Sequence, residues 1–197
     1  MKLDSFNPAL FERFETSTKI DGNYTGIYLG KVIRVIEENI EDYKKLLIHS
    51  GKVPFLINAD LIFEDATKII VEHHSLDNIT YYDEWTRKQR VEAALAVIQI
   101  QEHLVEQGYF LNDPHGFNIT FQNNRPIYFD FGSILKGKMN PVKWYIKCFT
   151  GLNVHDYWDD ILKISFIKKM FTAITLSFQT SPYNYLKKTI YQKLENF

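Results

Sequence analysis

The chain has 197 residues and a formal net charge of −1, with 45% hydrophobic and 24% charged residues, a composition typical of globular proteins. A charge near zero argues against general nucleic-acid binding, which usually requires a surplus of Lys and Arg. The single cysteine, Cys148, excludes an internal disulfide framework.

Two further absences indicate where the protein works. No apolar run reaches the length of about 20 residues that a transmembrane helix requires. The first residues, MKLDSFNPALFERFE, carry acidic side chains and lack the long apolar segment of a signal peptide. We therefore expect a soluble, cytoplasmic protein without a transmembrane segment.

The first part of the chain is rich in strand-forming residues. Residues 14–36 contain many Thr, Ile, Tyr and Val, interrupted at DGN and LGK, and we predict three short antiparallel strands, the last over 32–36. Helical spacing of apolar residues follows over 37–50. Residues 55–63 and 68–72 are predicted to form two more strands, joined by the polar turn EDAT.

The pattern changes at residue 83. DEWTRKQRVEAALAVIQIQEHLVEQG is predicted to be a long amphipathic helix that ends at a Gly. A short strand around 109–111, a loop, and two strand-like segments, NITF and PIYFDF, come next, with the turn QNNR between the last two. Three more helices are predicted, over 141–150, 155–178 and 183–196. This order predicts an α+β protein with two lobes, an N-lobe over about 1–73 and a C-lobe over about 83–197, joined by a connector within 71–82.

The residues with the clearest chemistry lie in GYFLNDPHGFNITFQNNRPIYFDFGS, residues 108–133. Asp113 is followed five residues later by Asn118, and Asp130 begins Asp-Phe-Gly after a strand, a turn and a second strand. Because the hairpin turns the chain back on itself, Asn118 and Asp130 come to its open end, and we expect them to face the same pocket. Mg²⁺ takes oxygen ligands and is usually held by one or two carboxylates together with substrate phosphates. Asp130 and the Asn118 amide oxygen are suitable ligands for that ion. Asp113 is suitable as the group that accepts the proton of an attacking hydroxyl.

The pattern D-x-x-x-x-N followed by DFG resembles the catalytic and metal loops of the protein-kinase-like superfamily. LNDPHGFNI is similar to the loop of its aminoglycoside-phosphotransferase and sugar or lipopolysaccharide kinase branch, through Asp113, His115 and Asn118. Leu111 and Asn112 differ, because they stand where those families have His and Gly or Arg. The resemblance implies a single kinase-like domain over 1–197, with a β-rich N-lobe, a reduced and mainly helical C-lobe, and ATP and Mg²⁺ as cofactors.

The resemblance also implies phosphate-binding residues in the N-lobe. Arg34 resembles the invariant lysine position, and Val32, on the same strand face, would cover the adenine. Lys31, expected in the Gly30-Lys31 turn, is the competing cation. The helix glutamate that would hold this cation is Glu41, with Glu38 as the rival.

Two backbone segments complete the implied nucleotide site. The loop that covers the phosphates would be 16–21 or DGNYTG, neither of which is a glycine-rich motif. The hinge that pairs with adenine would be the backbone around Val71, Glu72 and His73.

The segment after Asp-Phe-Gly narrows the class of kinase. Only eight residues, SILKGKMN, precede Pro141, and no Ala-Pro-Glu motif follows, so a long phosphorylatable activation segment is excluded. We therefore predict an ATP- and Mg²⁺-dependent phosphotransferase that acts on the hydroxyl of a sugar, glycan or small molecule. A protein acceptor is an alternative, and nucleotidyl transfer is a further one. The departures at Leu111, Asn112 and Arg34 leave open a catalytically inactive, pseudokinase-like binding module.

Overall fold

A computed structural model of the chain describes residues 2–14, 23–114, 116–138 and 144. The chain divides into two compact units, Met1–Asp77 and Asn78–Phe197. Several predictions lie outside the described residues: His115, the phosphate loop at 16–21, and the three C-terminal helices, except that Trp144 lies in a helix.

Five antiparallel strands form the sheet of the N-terminal unit. They are β1 (Phe11–Arg13), β2 (Tyr24–Tyr28), β3 (Lys31–Ile36), β4 (Ala59–Glu64) and β5 (Ile69–His73), in the spatial order β1-β2-β3-β5-β4. Leu29 and Gly30 form the turn between β2 and β3, with φ of 50° and 75°. Positive φ at both central residues is typical of a tight hairpin turn whose twist matches that of its strands.

One face of β3 forms the centre of this unit's core. Ile33 and Val35 are fully buried and pack with Tyr28, Ile62 and Ile70. Side chains alternate along a strand, so the intervening residues of β3 lie on the opposite face. The predicted helix over 37–50 is confirmed as α1 (Ile40–Ser50), which follows β3.

Gly26 is explained by strand packing. It lies in β2, opposite Arg13 of β1, and a Cβ atom there would come within 2.2 Å of the Glu12 carbonyl oxygen. Only glycine permits this close approach. The last three residues of DGNYTG lie in β2, and the role of this segment in covering the phosphates stays a prediction.

The C-terminal unit begins with a long helix, α2 (Arg87–Glu106). Thr86 and Gln89 form a reciprocal capping box, in which each side chain accepts a hydrogen bond from the backbone of the other residue. The predicted helix is confirmed, but it begins at Arg87 rather than at residue 83 because the cap is at Thr86. Within the described part of the chain, no helix combines the length and the apolar character needed to cross a membrane.

In the described residues after α2, four short strands form two antiparallel pairs. They are β6 (Tyr109–Leu111), β7 (Ile119–Gln122), β8 (Arg125–Tyr128) and β9 (Ile134–Lys136). β7 pairs with β8 across a turn at Asn123 and Asn124, which both have positive φ. β6 pairs with β9, a strand that the sequence pattern does not predict. The α+β class with a β-rich N-terminal sheet is confirmed.

The predicted strand PIYFDF is too long. β8 ends at Tyr128, and Asp130 caps a short 3₁₀ turn, Phe131–Ser133, through its side chain. Asp130 therefore lies beyond the end of the hairpin, where its carboxylate is not restricted to one face of a strand.

Candidate active site

The loop that carries Asp113 is fixed by buried polar side chains. The backbone N–H of Leu111 donates to Gln101 Oε1 at 2.8 Å, and Trp144 Nε1 donates to the Leu111 carbonyl at 2.8 Å. Gln101 and Trp144 are almost completely buried. The Asn112 N–H donates to the Ser133 carbonyl at 2.8 Å, which ties the loop to the residues that follow Asp130.

Asp113 itself is exposed, whereas Asn118 is half-buried beside it. Asn118 Nδ2 lies 3.0 Å from the Asp113 carbonyl oxygen, 3.4 Å from Asp113 Oδ2 and 3.3 Å from the Tyr128 hydroxyl. The amide nitrogen is a hydrogen-bond donor, so these three acceptors hold the amide with its nitrogen facing them. The amide oxygen points away from them and is the end suited to a cation.

Asn118 and Asp130 lie at the same open end of the β7–β8 hairpin. The Phe129 N–H donates to the Asn118 carbonyl at 2.9 Å, which extends the ladder by one step beyond the last strand pair. One carboxylate oxygen of Asp130 accepts from the Gly132 N–H at 3.1 Å. The structure thus brings Asp113, Asn118 and Asp130 together within one small region of the C-terminal unit.

Tyr128, which no sequence motif singles out, lies at the centre of this region. Its hydroxyl is 2.6 Å from the Asp113 carbonyl oxygen and 2.6 Å from Ser133 Oγ. Burial raises the pKa of Tyr128 well above its ordinary value, and the carboxylates of Asp130 and Asp113 raise it further. The hydroxyl therefore keeps its proton and acts as a donor. The only signal in the sequence is a Tyr two residues before Asp130.

The described residues fit the Mg²⁺ ion that the DFG resemblance implies. Asn118 presents an amide oxygen and Asp130 a carboxylate, and both are hard oxygen ligands of the kind that Mg²⁺ prefers. Across the described part of the chain, no group of three or more His, Cys, Asp or Glu side chains could hold a metal. The described residues therefore show no site in which protein side chains alone would coordinate Ca²⁺ or Zn²⁺. Mg²⁺ is commonly bound by one or two protein oxygen ligands together with substrate phosphates.

The two candidate cations of the N-terminal unit lie on opposite faces of the sheet. Arg34 is opposite Val71 on the neighbouring strand, on the face away from Ile33. Lys31 is the first residue of β3, so its placement in the turn was wrong, and it shares the Ile33 face. Lys31 Nζ forms an ion pair with Glu72 at 2.5 Å. Arg34 and Lys31 therefore cannot serve the same phosphate site.

Glu41 lies in the first turn of α1 and is largely exposed. Its carboxylate forms an ion pair with Lys44 at 3.1 Å, and Lys44 also pairs with Glu64 at 2.8 Å. Glu38 precedes α1, so its interpretation as a helix residue was wrong. The pairing of Glu41 with Arg34 stays a prediction.

The expected hinge lies in β5 rather than after it. Val71 is opposite Arg34 on β3 and Leu61 on β4, and Glu72 likewise has partners on both sides. Their backbone groups belong to a central strand, so the expectation that they pair with adenine is wrong. His73, the last residue of β5, pairs with Ala59 of β4, and its part in the hinge stays a prediction.

His73 is a neutral imidazole at physiological pH. Burial, followed by the nearby charges of Arg34 and His74, lowers its pKa to about 3. A neutral ring beside the Arg34 guanidinium avoids repulsion between two cations on one sheet face.

Comparisons with known proteins identify partial similarities. No family model matches the chain. Over 84 residues it is 33% identical to the nodulation protein NoeA of Rhizobium meliloti (strain 1021), a stretch that covers 43% of this chain and 17% of NoeA. Among solved structures, it is similar to the kinase PK-1 of Cydia pomonella granulovirus, with a TM-score of 0.44 and 14% identity. That similarity covers 65% of this chain and 55% of the viral kinase.

Proposed function

We propose that the protein is a kinase that transfers the γ-phosphate of ATP, with Mg²⁺, to a hydroxyl acceptor. The observation that carries the proposal is the grouping of Asp113, Asn118 and Asp130 at one end of the β7–β8 hairpin. Their order and spacing match the catalytic and metal loops of kinase-like enzymes. Both the amide oxygen and the exposed carboxylate are oriented by the contacts described above.

Asp113 acts on the acceptor hydroxyl. Its carboxylate is exposed and orients the hydroxyl, accepting its proton as transfer proceeds. Asn118 Nδ2 lies 3.4 Å from the same carboxylate and steadies its orientation.

Asn118 and Asp130 would hold Mg²⁺, which supplies charge neutralisation at the phosphate oxygens when bound. The Asn118 amide thus serves two groups at once, Asp113 through its nitrogen and the metal through its oxygen. Arg34 is the proposed contact for the phosphates, because its guanidinium has the fork of donors that binds phosphate oxygens in pairs.

An aromatic surface beside the catalytic loop favours a sugar or another compact acceptor. Phe117, which directly precedes Asn118, is 49% exposed, and Tyr81 is exposed to the same extent. The ring of Phe117 lies 5.3 Å from that of Tyr82 and 6.5 Å from that of Tyr81. Flat, exposed rings offer apolar contact area to the C–H face of a sugar while its hydroxyls remain available to polar groups.

Thermal unfolding with and without Mg-ATP tests nucleotide binding. A ligand at about 100 times its Kd stabilises the native state by ~2.7 kcal/mol, which raises the midpoint of a chain of this size by about 5–10 °C. We expect this rise with Mg-ATP and a smaller one with ATP and EDTA. An unchanged midpoint at millimolar Mg-ATP would contradict the proposal.

Replacing Phe117 with Ala tests the acceptor surface. We expect the KM for a sugar acceptor to rise by about tenfold, equivalent to ~1.4 kcal/mol, with the KM for ATP unchanged. Val105→Ala, which truncates an exposed apolar residue of α2, is the matched control. If Phe117→Ala leaves the KM for sugars unchanged but raises that for a protein acceptor, the protein-kinase alternative is correct.

A further inference from the structure

The Tyr128 hydroxyl joins three separate segments of the candidate site. It contacts the carbonyl oxygen of Asp113 and Oγ of Ser133, each at 2.6 Å, and Nδ2 of Asn118 at 3.3 Å. Asp113 lies in the loop after β6, Ser133 lies in the turn after Asp130, and Asn118 directly precedes β7. Tyr128 itself is 1% exposed.

The hydrogen-bonding capacity of this hydroxyl is filled in one arrangement. A phenol has one proton to donate and an oxygen that can accept two hydrogen bonds. The Asp113 carbonyl can only accept, so Tyr128 donates there, and the Asn118 nitrogen can only donate, so Tyr128 accepts from it. Because the phenol proton is used at Asp113, the 2.6 Å contact with Ser133 Oγ is a hydrogen bond that Ser133 donates to Tyr128.

The arrangement determines which end of the Asn118 amide faces outward. If the amide were reversed, its oxygen would face the carbonyl and carboxylate oxygens of Asp113. All three oxygens are hydrogen-bond acceptors, so no hydrogen bond could form between them. Tyr128 holds the Asp113 carbonyl in place and receives one of the amide's hydrogen bonds. The orientation of the proposed metal ligand therefore depends on a hydroxyl that would not touch the metal.

The loop that carries Asp113 is joined to the residues after Asp130 by the hydrogen bond from the Asn112 N–H to the Ser133 carbonyl and by the contact between Tyr128 and Ser133.

We propose that Tyr128 is a positioning residue for the metal site: its hydroxyl aligns Asp113 and the Asn118 amide oxygen with the segment that carries Asp130. This inference rests on the proposed phosphotransferase function. Side chains that orient metal ligands from behind typically change metal affinity or activity by about 10- to 100-fold when they are removed.

Tyr128→Phe removes one oxygen atom and keeps the ring that fills the core. We expect the Mg²⁺ concentration for half-maximal activity to rise by about 10-fold or more, and kcat to fall, with the KM for the acceptor unchanged. Binding of Mn²⁺ in the presence of ADP, followed by electron paramagnetic resonance, should weaken in parallel. A purely structural role would lower the unfolding midpoint without changing metal affinity.

Two further variants make the result specific. Ser133→Ala removes one partner of the hydroxyl and should weaken Mn²⁺ binding in the same direction but less, and it serves as the test if Tyr128→Phe does not fold. Tyr28→Phe removes a hydroxyl from a buried tyrosine of the N-terminal unit and should bind Mn²⁺ like the wild type.

The outcomes separate this inference from the function on which it rests. If the wild type binds Mg-ATP and Tyr128→Phe shows the same Mn²⁺ affinity and Mg²⁺ dependence, the positioning role is overturned and the kinase function stands. Wild-type metal affinity in Ser133→Ala overturns it as well. If the wild type shows no metal-dependent nucleotide binding, the proposed function fails and this inference fails with it.

Discussion

Replacing Asp113 with Asn is expected to reduce the rate of phosphate transfer by about 10²- to 10⁴-fold, the usual contribution of a positioned general base. The amide cannot accept the hydroxyl proton, but it keeps the size of the carboxylate and an oxygen near Asn118 Nδ2. Binding of Mg-ATP should therefore be almost unchanged. Initial rates with labelled ATP, together with calorimetric titration of Mg-ATP, measure the two quantities separately.

Asp83→Asn is the matched control for this variant. Asp83 is also an exposed aspartate of the C-terminal unit, but it lies in the turn before α2. We expect it to transfer phosphate at the wild-type rate. Equal rates in Asp113→Asn and the wild type would remove Asp113 from its proposed role.

Replacing Asp130 with Asn is expected to weaken Mg-ATP binding by about 30-fold or more. Loss of one member of a close charge pair costs roughly 2–5 kcal/mol, and each 1.4 kcal/mol corresponds to a factor of about ten. Asn retains an oxygen that can cap the turn at Gly132, so the unfolding midpoint without ligand should be nearly unchanged. Calorimetric titration with a non-hydrolysable ATP analogue, with and without Mg²⁺, measures the effect.

Asp65→Asn serves as the control for the loss of a turn-capping carboxylate. Asp65 accepts hydrogen bonds from the backbone of Thr67 and Lys68 in the turn between β4 and β5. Its replacement should leave nucleotide affinity unchanged. If Asp130→Asn retains the Mg²⁺ dependence of the wild type, the metal is held elsewhere.

The local elements were predictable because their signals lie within a few residues. The Thr86-x-x-Gln89 pattern fits the capping box that begins α2, and apolar spacing predicts both α1 and α2. The β7–β8 hairpin follows from two strand-like segments around Asn123 and Asn124, since asparagine tolerates positive φ. The same hairpin brings Asn118 and Asp130 to one end, which the spacing had suggested.

The interactions that depend on distant residues were not predictable. β9 is only three residues long, and it is recognised as a strand through its pairing with β6. Tyr128 lies in an apolar run, where its ring indicates core packing and nothing reveals the partners of its hydroxyl. The hinge prediction failed for Val71 and Glu72 because a strand's position in the sheet, central or edge, decides whether its backbone groups are available.

The most direct test of the central claim is a crystal structure of the protein with Mg²⁺ and a non-hydrolysable ATP analogue. The account predicts Mg²⁺ at about 2.0–2.1 Å from a carboxylate oxygen of Asp130 and from the amide oxygen of Asn118. The γ-phosphate should lie on the side of the metal that faces Asp113. A metal bound at other residues, or an Asn118 amide whose oxygen points toward Asp113, would contradict it.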